Sequence, residues 1–135
     1  MSVEPLPFVE VNPDKQHDAV VIWLHGLGDS GNGFAPIVPQ LNLPQDTAIR
    51  FVFPHAPIRP VTINNGFQMR AWYDIKSLDF EDRADREGVE ESVQLVKNLI
   101  DAEMAKGIPA ERIVLAGFSQ GGVIAYHLGL RLQEK

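Results

Sequence analysis

A serine between two glycines is the clearest chemical signal in the 135-residue sequence. The run Gly117–Phe118–Ser119–Gln120–Gly121 fits the pattern G-x-S-x-G and stands where an apolar run ends and a helical pattern begins. In a nucleophile elbow, the glycines let the chain pass through a strained strand-to-helix turn that exposes the serine hydroxyl above the sheet. The motif therefore predicts Ser119 as the nucleophile of an acyl transfer. The alternative interpretation is a glycine-bracketed turn whose serine caps a helix.

A second glycine-containing run, His25–Gly26–Leu27–Gly28–Asp29, follows an earlier apolar segment. A serine that attacks an acyl carbon needs backbone N–H donors for the developing oxyanion. These commonly come from the residue after the nucleophile and from a loop after an earlier strand. Gln120 supplies the first donor by its position, and Leu27 is placed to supply the second. We expect His25 to hold the shape of this loop, and Asp29 to fix the loop and not to bind a metal.

The same loop also allows a different function. Gly26, Gly28 and Gly31 match the G-x-G-x-x-G fingerprint of dinucleotide-binding domains. Such a domain needs an acidic residue at the end of the following strand to bind the ribose, but that strand ends in Phe53–Pro54–His55. Prolines at positions 36 and 39 also disrupt the helix whose N-terminus would bind the pyrophosphate. A dinucleotide-binding domain is therefore the weaker alternative.

Composition and charge limit the classes of function. The sequence has 12 basic and 18 acidic side chains, and its net charge of −6 argues against nucleic acid as a partner. The absence of cysteine excludes thiol nucleophiles and cysteine metal sites. The N-terminus shows no signal-peptide pattern, and no apolar run approaches the roughly 18 residues that span a bilayer. We expect a single cytoplasmic domain over residues 1–135, with no integral membrane segment.

The strands that must position these motifs alternate with helical patterns. Four segments are predicted as strands: Phe8–Val11, Ala19–Leu24, Ile49–Phe53 and Ile113–Phe118. Turn-forming residues at positions 12–14 predict that the first two strands form an antiparallel hairpin. Because helices separate the last three strands, we expect an α/β fold with a mostly parallel sheet.

Three helical patterns fill the connections. Apolar spacing predicts a helix over Phe34–Leu41, in which Pro36 is tolerated only in the first turn and Pro39 shortens or kinks the helix. It also predicts a longer helix over Glu87–Lys106 that stops at Gly107. A third helix begins after Ser119 and is so apolar that we expect it to be buried. The stretch Pro54–Arg86 is longer than ordinary loops, and we expect an ordered loop that shapes a pocket.

Five short segments resemble the α/β-hydrolases grouped as carboxylesterases, lysophospholipases and acyl-protein thioesterases, with the bacterial carboxylesterases as the most similar branch. The segments are Ile22–Asp29, Phe53–Pro57, Pro60–Gly66, Ala71–Asp74 and Ala116–Gly122. The resemblance implies the three-layer α/β-hydrolase sandwich and Ser119 as the nucleophile. It also implies oxyanion donors from Leu27 and Gln120, and small acyl esters or thioesters as substrates. It implies no cofactor and no metal.

The resemblance covers only the first part of the family's pattern. In this fold the triad acid and histidine follow the nucleophile in sequence, and only residues 120–135 follow Ser119. A further βαβ unit takes about 30 residues or more, so the triad Asp and His and the C-terminal strands do not fit. We therefore expect an incomplete hydrolase domain that is inactive alone and could self-associate through its exposed sheet flank. A noncatalytic hydrolase-fold remnant or interaction module is the alternative.

Other side chains have a structural interpretation beside the functional one. Phe67 and Trp72 either line an acyl pocket or anchor their loop, whereas Trp23 is expected in the core. Asp74 is expected to bond backbone in its own loop. The histidines at positions 17, 55 and 127 are expected to be packing or loop residues and not bases. The acidic run Asp79–Glu91 lacks the spacing of a calcium loop, so we expect a solvated face.

Overall fold

The computed structural model describes residues 6–12, 16–44, 48–75 and 86–131. In chain order its elements are β1 (Phe8–Val11), β2 (Ala19–Leu24), α1 (Gly31–Phe34), α2 (Ile37–Gln40), β3 (Ile49–Pro54), β4 (Ile58–Val61), β5 (Phe67–Arg70), α3 (Arg86–Ala105), β6 (Ile113–Gly117) and α4 (Gln120–Arg131). Short 3-10 turns at Thr62–Asn64 and Ala110–Arg112 precede β5 and β6.

Four strands form one sheet in the order β1, β3, β2, β6. Strand β2 lies parallel to both neighbours, with Ile22 opposite Val52 of β3 and Leu115 of β6. Strand β1 runs antiparallel to β3. The mostly parallel sheet agrees with the sequence prediction. It also brings the carboxyl ends of β2 and β6, where the two glycine motifs begin, side by side at one edge of the sheet, the usual place for a site in such folds.

The main core lies between the sheet and the α3–α4 layer. Val20, Ile22 and Leu24, on one face of β2, are completely buried and belong to one apolar cluster with Val96 of α3 and Ile124 of α4. The predicted apolar stripe of the long helix is confirmed, since α3 buries that stripe. Its stop is confirmed too, because Gly107 follows it with a φ of +104°.

The opposite face of the sheet carries aromatic rings under thinner cover. Trp23 lies with its ring centroid 5.5 Å from that of Phe34 and 6.3 Å from that of Phe53. Trp23 is half-buried, so its predicted place in the core is only partly correct. The reason is that α1 and α2 have four residues each and cover little of this face. The helix predicted over Phe34–Leu41 forms only as the four-residue α2, with Pro36 at its N-cap and Pro39 in its first turn, where a missing N–H removes no helical bond.

The prediction that β1 and β2 form an antiparallel hairpin is wrong. Strand β1 pairs with β3, with Val9 opposite Phe53, and β2 has parallel neighbours on both sides. An apolar strand such as β2 gains most from a central position, where both of its edges are paired. The connection over residues 12–18 is long enough to cross β3, and a tight turn is not needed; residues 13–15 lie outside the described part of the chain.

Two further expectations need correction. Helix α4 starts at Gln120 as predicted, but it is buried on one face only: Leu128 is covered, whereas Tyr126 and Leu130 are more than 60% exposed. No described element covers that second face. The stretch predicted as one long loop contains the antiparallel β4–β5 hairpin. Residues 76–85 of that stretch, with most of the acidic run, lie outside the described residues, and Glu87 and Glu91 are exposed.

Candidate active site

The G-x-S-x-G motif forms the predicted turn between β6 and α4. Ser119 has a φ of +54°, in the left-handed region that residues with a side chain rarely adopt. Its carbonyl oxygen accepts hydrogen bonds from the N–H groups of Gly122 and Val123, which start the first turn of α4. Strain at a single polar residue in such a turn is an observation that points towards function.

Two glycines make this turn possible because nothing larger fits. A Cβ atom on Gly117 would lie 2.4 Å from the carbonyl oxygen of Gly121, and one on Gly121 would lie 2.5 Å from that of Leu24. Both distances are far below van der Waals contact. The absence of side chains therefore lets the start of α4 pack directly on the end of β2.

The loop after β2 meets the serine turn, as the sequence predicted. A Cβ atom on Gly26 would lie 3.5 Å from the Cβ atom of Ser119. The loop is a tight turn in which the N–H of Asp29 donates to the carbonyl oxygen of Gly26 at 3.2 Å. Gly28, at the third position of the turn, has a φ of +78°, which the type II geometry requires. The N–H of Gly28 also donates to the carbonyl oxygen of Arg70 at the end of β5.

The two predicted oxyanion donors lie on these adjacent turns. The backbone N–H groups of Leu27 and Gln120 donate to no acceptor among the described residues. For Gln120 the reason is its place as the first residue of α4, where an N–H has no partner within the helix. Both groups are therefore available to an oxyanion held beside Ser119, and their role stays a prediction.

His25 supports the loop through both ring nitrogens. Its Nδ1 lies 2.7 Å from the carbonyl oxygen of Gly26, and its Nε2 lies 3.0 Å from the N–H of Ala56. Since a carbonyl only accepts and an N–H only donates, Nδ1 carries the proton and Nε2 is the acceptor. Burial lowers the pKa of His25 below its ordinary value, which favours this neutral form.

None of the four histidines acts on Ser119 in this structure. His25 has no ring nitrogen left, and His55 accepts from the N–H of Gly31 through Nδ1 at 3.1 Å, with its pKa lowered first by burial. The described residues include all four histidines, and none of them is hydrogen-bonded to Ser119. His127 is exposed on α4, as expected.

The two predicted pocket residues lie in very different surroundings. Trp72 is completely buried, and its ring lies 5.3 Å from that of His25. Phe67, on β5, is 69% exposed. Their contact with substrate stays a prediction. Asp74 bonds its own loop as expected, accepting from the N–H and hydroxyl of Thr62.

A buried hydrogen-bond network around Trp72 was missed by the sequence analysis. It joins the Gln120 side chain and Ser92 of α3 to the Trp72 backbone. One feature of the sequence could have indicated it, because Ser92 is a polar residue inside the apolar stripe of α3. Among the described residues, no group of three or more His, Cys, Asp and Glu is placed to hold a metal.

Comparison with known proteins extends this picture. The sequence profile of the phospholipase/carboxylesterase family matches residues 6–135. The chain belongs to this family. It is 46% identical over 127 residues to acyl-protein thioesterase 1 of Schizosaccharomyces pombe, a match that covers 94% of this chain and 56% of that protein.

Among solved structures, Zea mays acyl-protein thioesterase 2 is similar with a TM-score of 0.74 and 34% identity, covering 90% of this chain and 50% of that one. Arabidopsis thaliana SOBER1 has a TM-score of 0.76 and 38% identity, covering 82% and 53%.

Membership in this family confirms the α/β-hydrolase fold class and replaces the dinucleotide-binding alternative. The short α1 agrees, since a four-residue helix offers little for a pyrophosphate. The chain spans about half the length of the curated relatives it matches. No helix in the described part of the chain is both long and apolar enough to cross a membrane.

Proposed function

We propose that Ser119 is the nucleophile of a serine hydrolase that cleaves small acyl esters or thioesters. The observation that carries this proposal is the left-handed backbone of Ser119, in a turn that packs on the glycine loop after β2. A structural turn would give this conformation to a glycine or asparagine, because they adopt it at less cost. The relatives named acyl-protein thioesterases support the same reaction class.

The reaction then follows from the two turns. The Ser119 hydroxyl attacks the acyl carbon, and the N–H groups of Leu27 and Gln120 stabilise the negative oxygen that develops. The intermediate collapses to an acyl-serine and releases the alcohol or thiol. Water then attacks the acyl-serine and releases the carboxylic acid. No step requires a cofactor or a metal.

The triad acid and histidine come, in this proposal, from residues outside this chain. The reason is that no histidine of the chain is hydrogen-bonded to Ser119, and that the family order places both partners after the serine. A serine hydroxyl without its base is a poor nucleophile. We therefore expect the 135-residue chain to be inactive or nearly so by itself.

The test begins with the coding sequence beyond the Lys135 codon. If the reading frame continues, the protein it encodes should hydrolyse short acyl esters and acyl thioesters, and Ser119→Ala should abolish turnover. Ser119→Gly should abolish it too while relieving the strained backbone, so that misfolding cannot explain the loss. A fluorophosphonate should label the parent protein and neither variant.

Two results would contradict the proposal. One is turnover that persists in both serine variants. The other is robust Ser119-dependent hydrolysis by the 135-residue chain, which would overturn the external source of the base but not the nucleophile. A stop codon after Lys135, together with no labelling of Ser119, would favour the noncatalytic interaction module.

A further inference from the structure

Trp72 links three separate elements through its three hydrogen-bonding groups. Its backbone N–H donates to Oε1 of Gln120 at 2.8 Å, and its indole Nε1–H donates to the carbonyl oxygen of His25 at 2.8 Å. Its own carbonyl oxygen accepts from the Ser92 hydroxyl of α3. Trp72, His25, Ser92 and Gln120 are all buried, so each of these bonds is shielded from water.

The Gln120 side chain holds this segment at two points. While Oε1 accepts from Trp72, the Nε2 group donates to the carbonyl oxygen of Tyr73 at 2.8 Å. Because the side-chain amide bonds two consecutive residues, it fixes both the distance and the orientation of the Trp72–Tyr73 backbone relative to Gln120. The same residue carries, on its backbone, one of the two predicted oxyanion donors.

The second predicted donor is tied to the same network. Leu27 stands two residues after His25, whose carbonyl oxygen is held by the Trp72 indole and whose ring bonds Gly26. Trp72 therefore lies between the two turns and is bonded to both.

We propose that Trp72 and the Gln120 side chain are positioning residues that set the separation of the Leu27 and Gln120 N–H groups for oxyanion binding. This inference rests on the proposed hydrolase function. Neither side chain touches the reacting atoms in this assignment. Functional groups must be held within about 0.5 Å of the productive geometry, and a buried, fully bonded network provides that rigidity.

The test uses the protein that shows Ser119-dependent hydrolysis and two variants with matched controls. Gln120→Met keeps the backbone N–H and most of the side-chain length but removes the two side-chain hydrogen bonds to the backbone of Trp72 and Tyr73. Gln94→Met makes the same change at an exposed position of α3. Trp72→Phe removes the indole N–H, and Trp23→Phe does so on the half-buried aromatic face. The rate is expressed per active site titrated with a fluorophosphonate, so that unfolded protein does not count.

We expect Gln120→Met to lower kcat by about 10- to 100-fold, somewhat less than the loss of a whole oxyanion donor. Trp72→Phe should lower kcat by about 3- to 10-fold, because one of its three bonds is lost. KM should change by less than about twofold in both, since the oxyanion forms only after the substrate binds. Inhibition by an alkyl boronic acid, whose adduct with serine is an anionic tetrahedral mimic, should weaken in parallel with kcat.

The outcomes separate this inference from the proposed function. Unchanged kcat per titrated site, with a lower melting temperature, would show a merely structural role and overturn the positioning role alone. Equal losses in Gln94→Met or Trp23→Phe would overturn it as well. A protein without any Ser119-dependent turnover would overturn the proposed function and this inference with it.

Discussion

The turns after β2 and β6 lie side by side and solve the same backbone problem differently. Each turn has one residue in the left-handed region, Gly28 after β2 and Ser119 after β6. Glycine adopts this conformation without penalty, whereas a residue with a side chain loses about 1–2 kcal/mol there. The turn that carries the proposed nucleophile is therefore the strained one, and the turn that carries only a backbone donor is relaxed.

The two turns also differ in the space around their glycines. Around Gly28 the nearest atom to an added Cβ is the Met69 sulfur at 3.7 Å, an ordinary contact. Around Gly121 the nearest atoms are the carbonyl oxygens of Leu24 and His25, at 2.5 and 2.6 Å. The glycines thus have different purposes, because Gly28 provides a dihedral angle and Gly121 provides room for close backbone packing.

The largest effect is expected from Gly121→Ala, because backbone atoms of a central strand cannot move away from the new methyl group. We expect the free energy of unfolding to fall by about 3 kcal/mol or more. Gly129→Ala, in the same helix, adds a methyl group that meets no described atom within 4 Å beyond its chain neighbours and the helix's own backbone, and it should stabilise by up to about 1 kcal/mol. Urea unfolding followed by circular dichroism measures both. Similar unfolding midpoints for the two variants would show that this turn is not tightly packed.

A smaller effect on stability, but a selective one on activity, is expected from Gly28→Ala. Gly66, in the β4–β5 hairpin, has a φ of +77°, and an added Cβ would meet no described atom within 4 Å other than its chain neighbours, so Gly66→Ala is a matched control. Both substitutions should cost about 1–2 kcal/mol of unfolding free energy. Only Gly28→Ala should also lower kcat, by about tenfold, because it moves the Leu27 N–H. Equal kcat values in the two variants, measured in the protein with Ser119-dependent turnover, would remove Leu27 from the site.

These contrasts show how far the sequence alone could lead. Local patterns were enough for the serine turn, the glycine loop, the long helix and the four strands of the sheet, because each depends on neighbours in the chain. The position of β1 could not be predicted in this way, since it depends on which strand edge is left unpaired after β2, β3 and β6 assemble.

The hydrogen-bond network of Trp72 could not be predicted from the sequence for a related reason. Its bonds join Trp72 to residues 20 to 48 positions away, and the spacing of residue types contains no information about such pairs. The half-exposed state of α4 is a third case, because an apolar helix is buried only where another element covers it. Long-range packing, not local propensity, decided all three.

The smallest predicted effect is the pH dependence of the unfolding free energy, and it concerns the turn after β2, which His25 supports. The folded protein keeps His25 neutral, with its pKa lowered from 6.5 mainly by burial, so the unfolded chain takes up this proton first as the pH falls. The stability that His25 contributes is therefore complete above about pH 6.5 and is lost progressively as the pH falls towards the lower pKa of the folded state. His55 changes stability in the same direction, since burial lowers its pKa too. The carboxylates of Glu10 and Glu103 have pKa values lowered from 4.5 as partners of Arg50, so their stabilisation is lost only below about pH 4.5.

Unfolding free energies measured between about pH 7.5 and 5, a range that includes the ordinary histidine pKa of about 6.5, should thus fall with decreasing pH. In the parent protein, protonation of His25 Nε2 removes the acceptor of the Ala56 N–H. His25→Asn has no ring to protonate, so it should flatten this slope. It should also lower stability at pH 7, because the bond from the Ala56 N–H to the ring is lost. If His25→Asn kept the full slope, the His25 ring would not be the neutral acceptor that the loop geometry requires. The turn that carries Leu27 would then be held by the backbone hydrogen bonds of Gly28 and Asp29 alone.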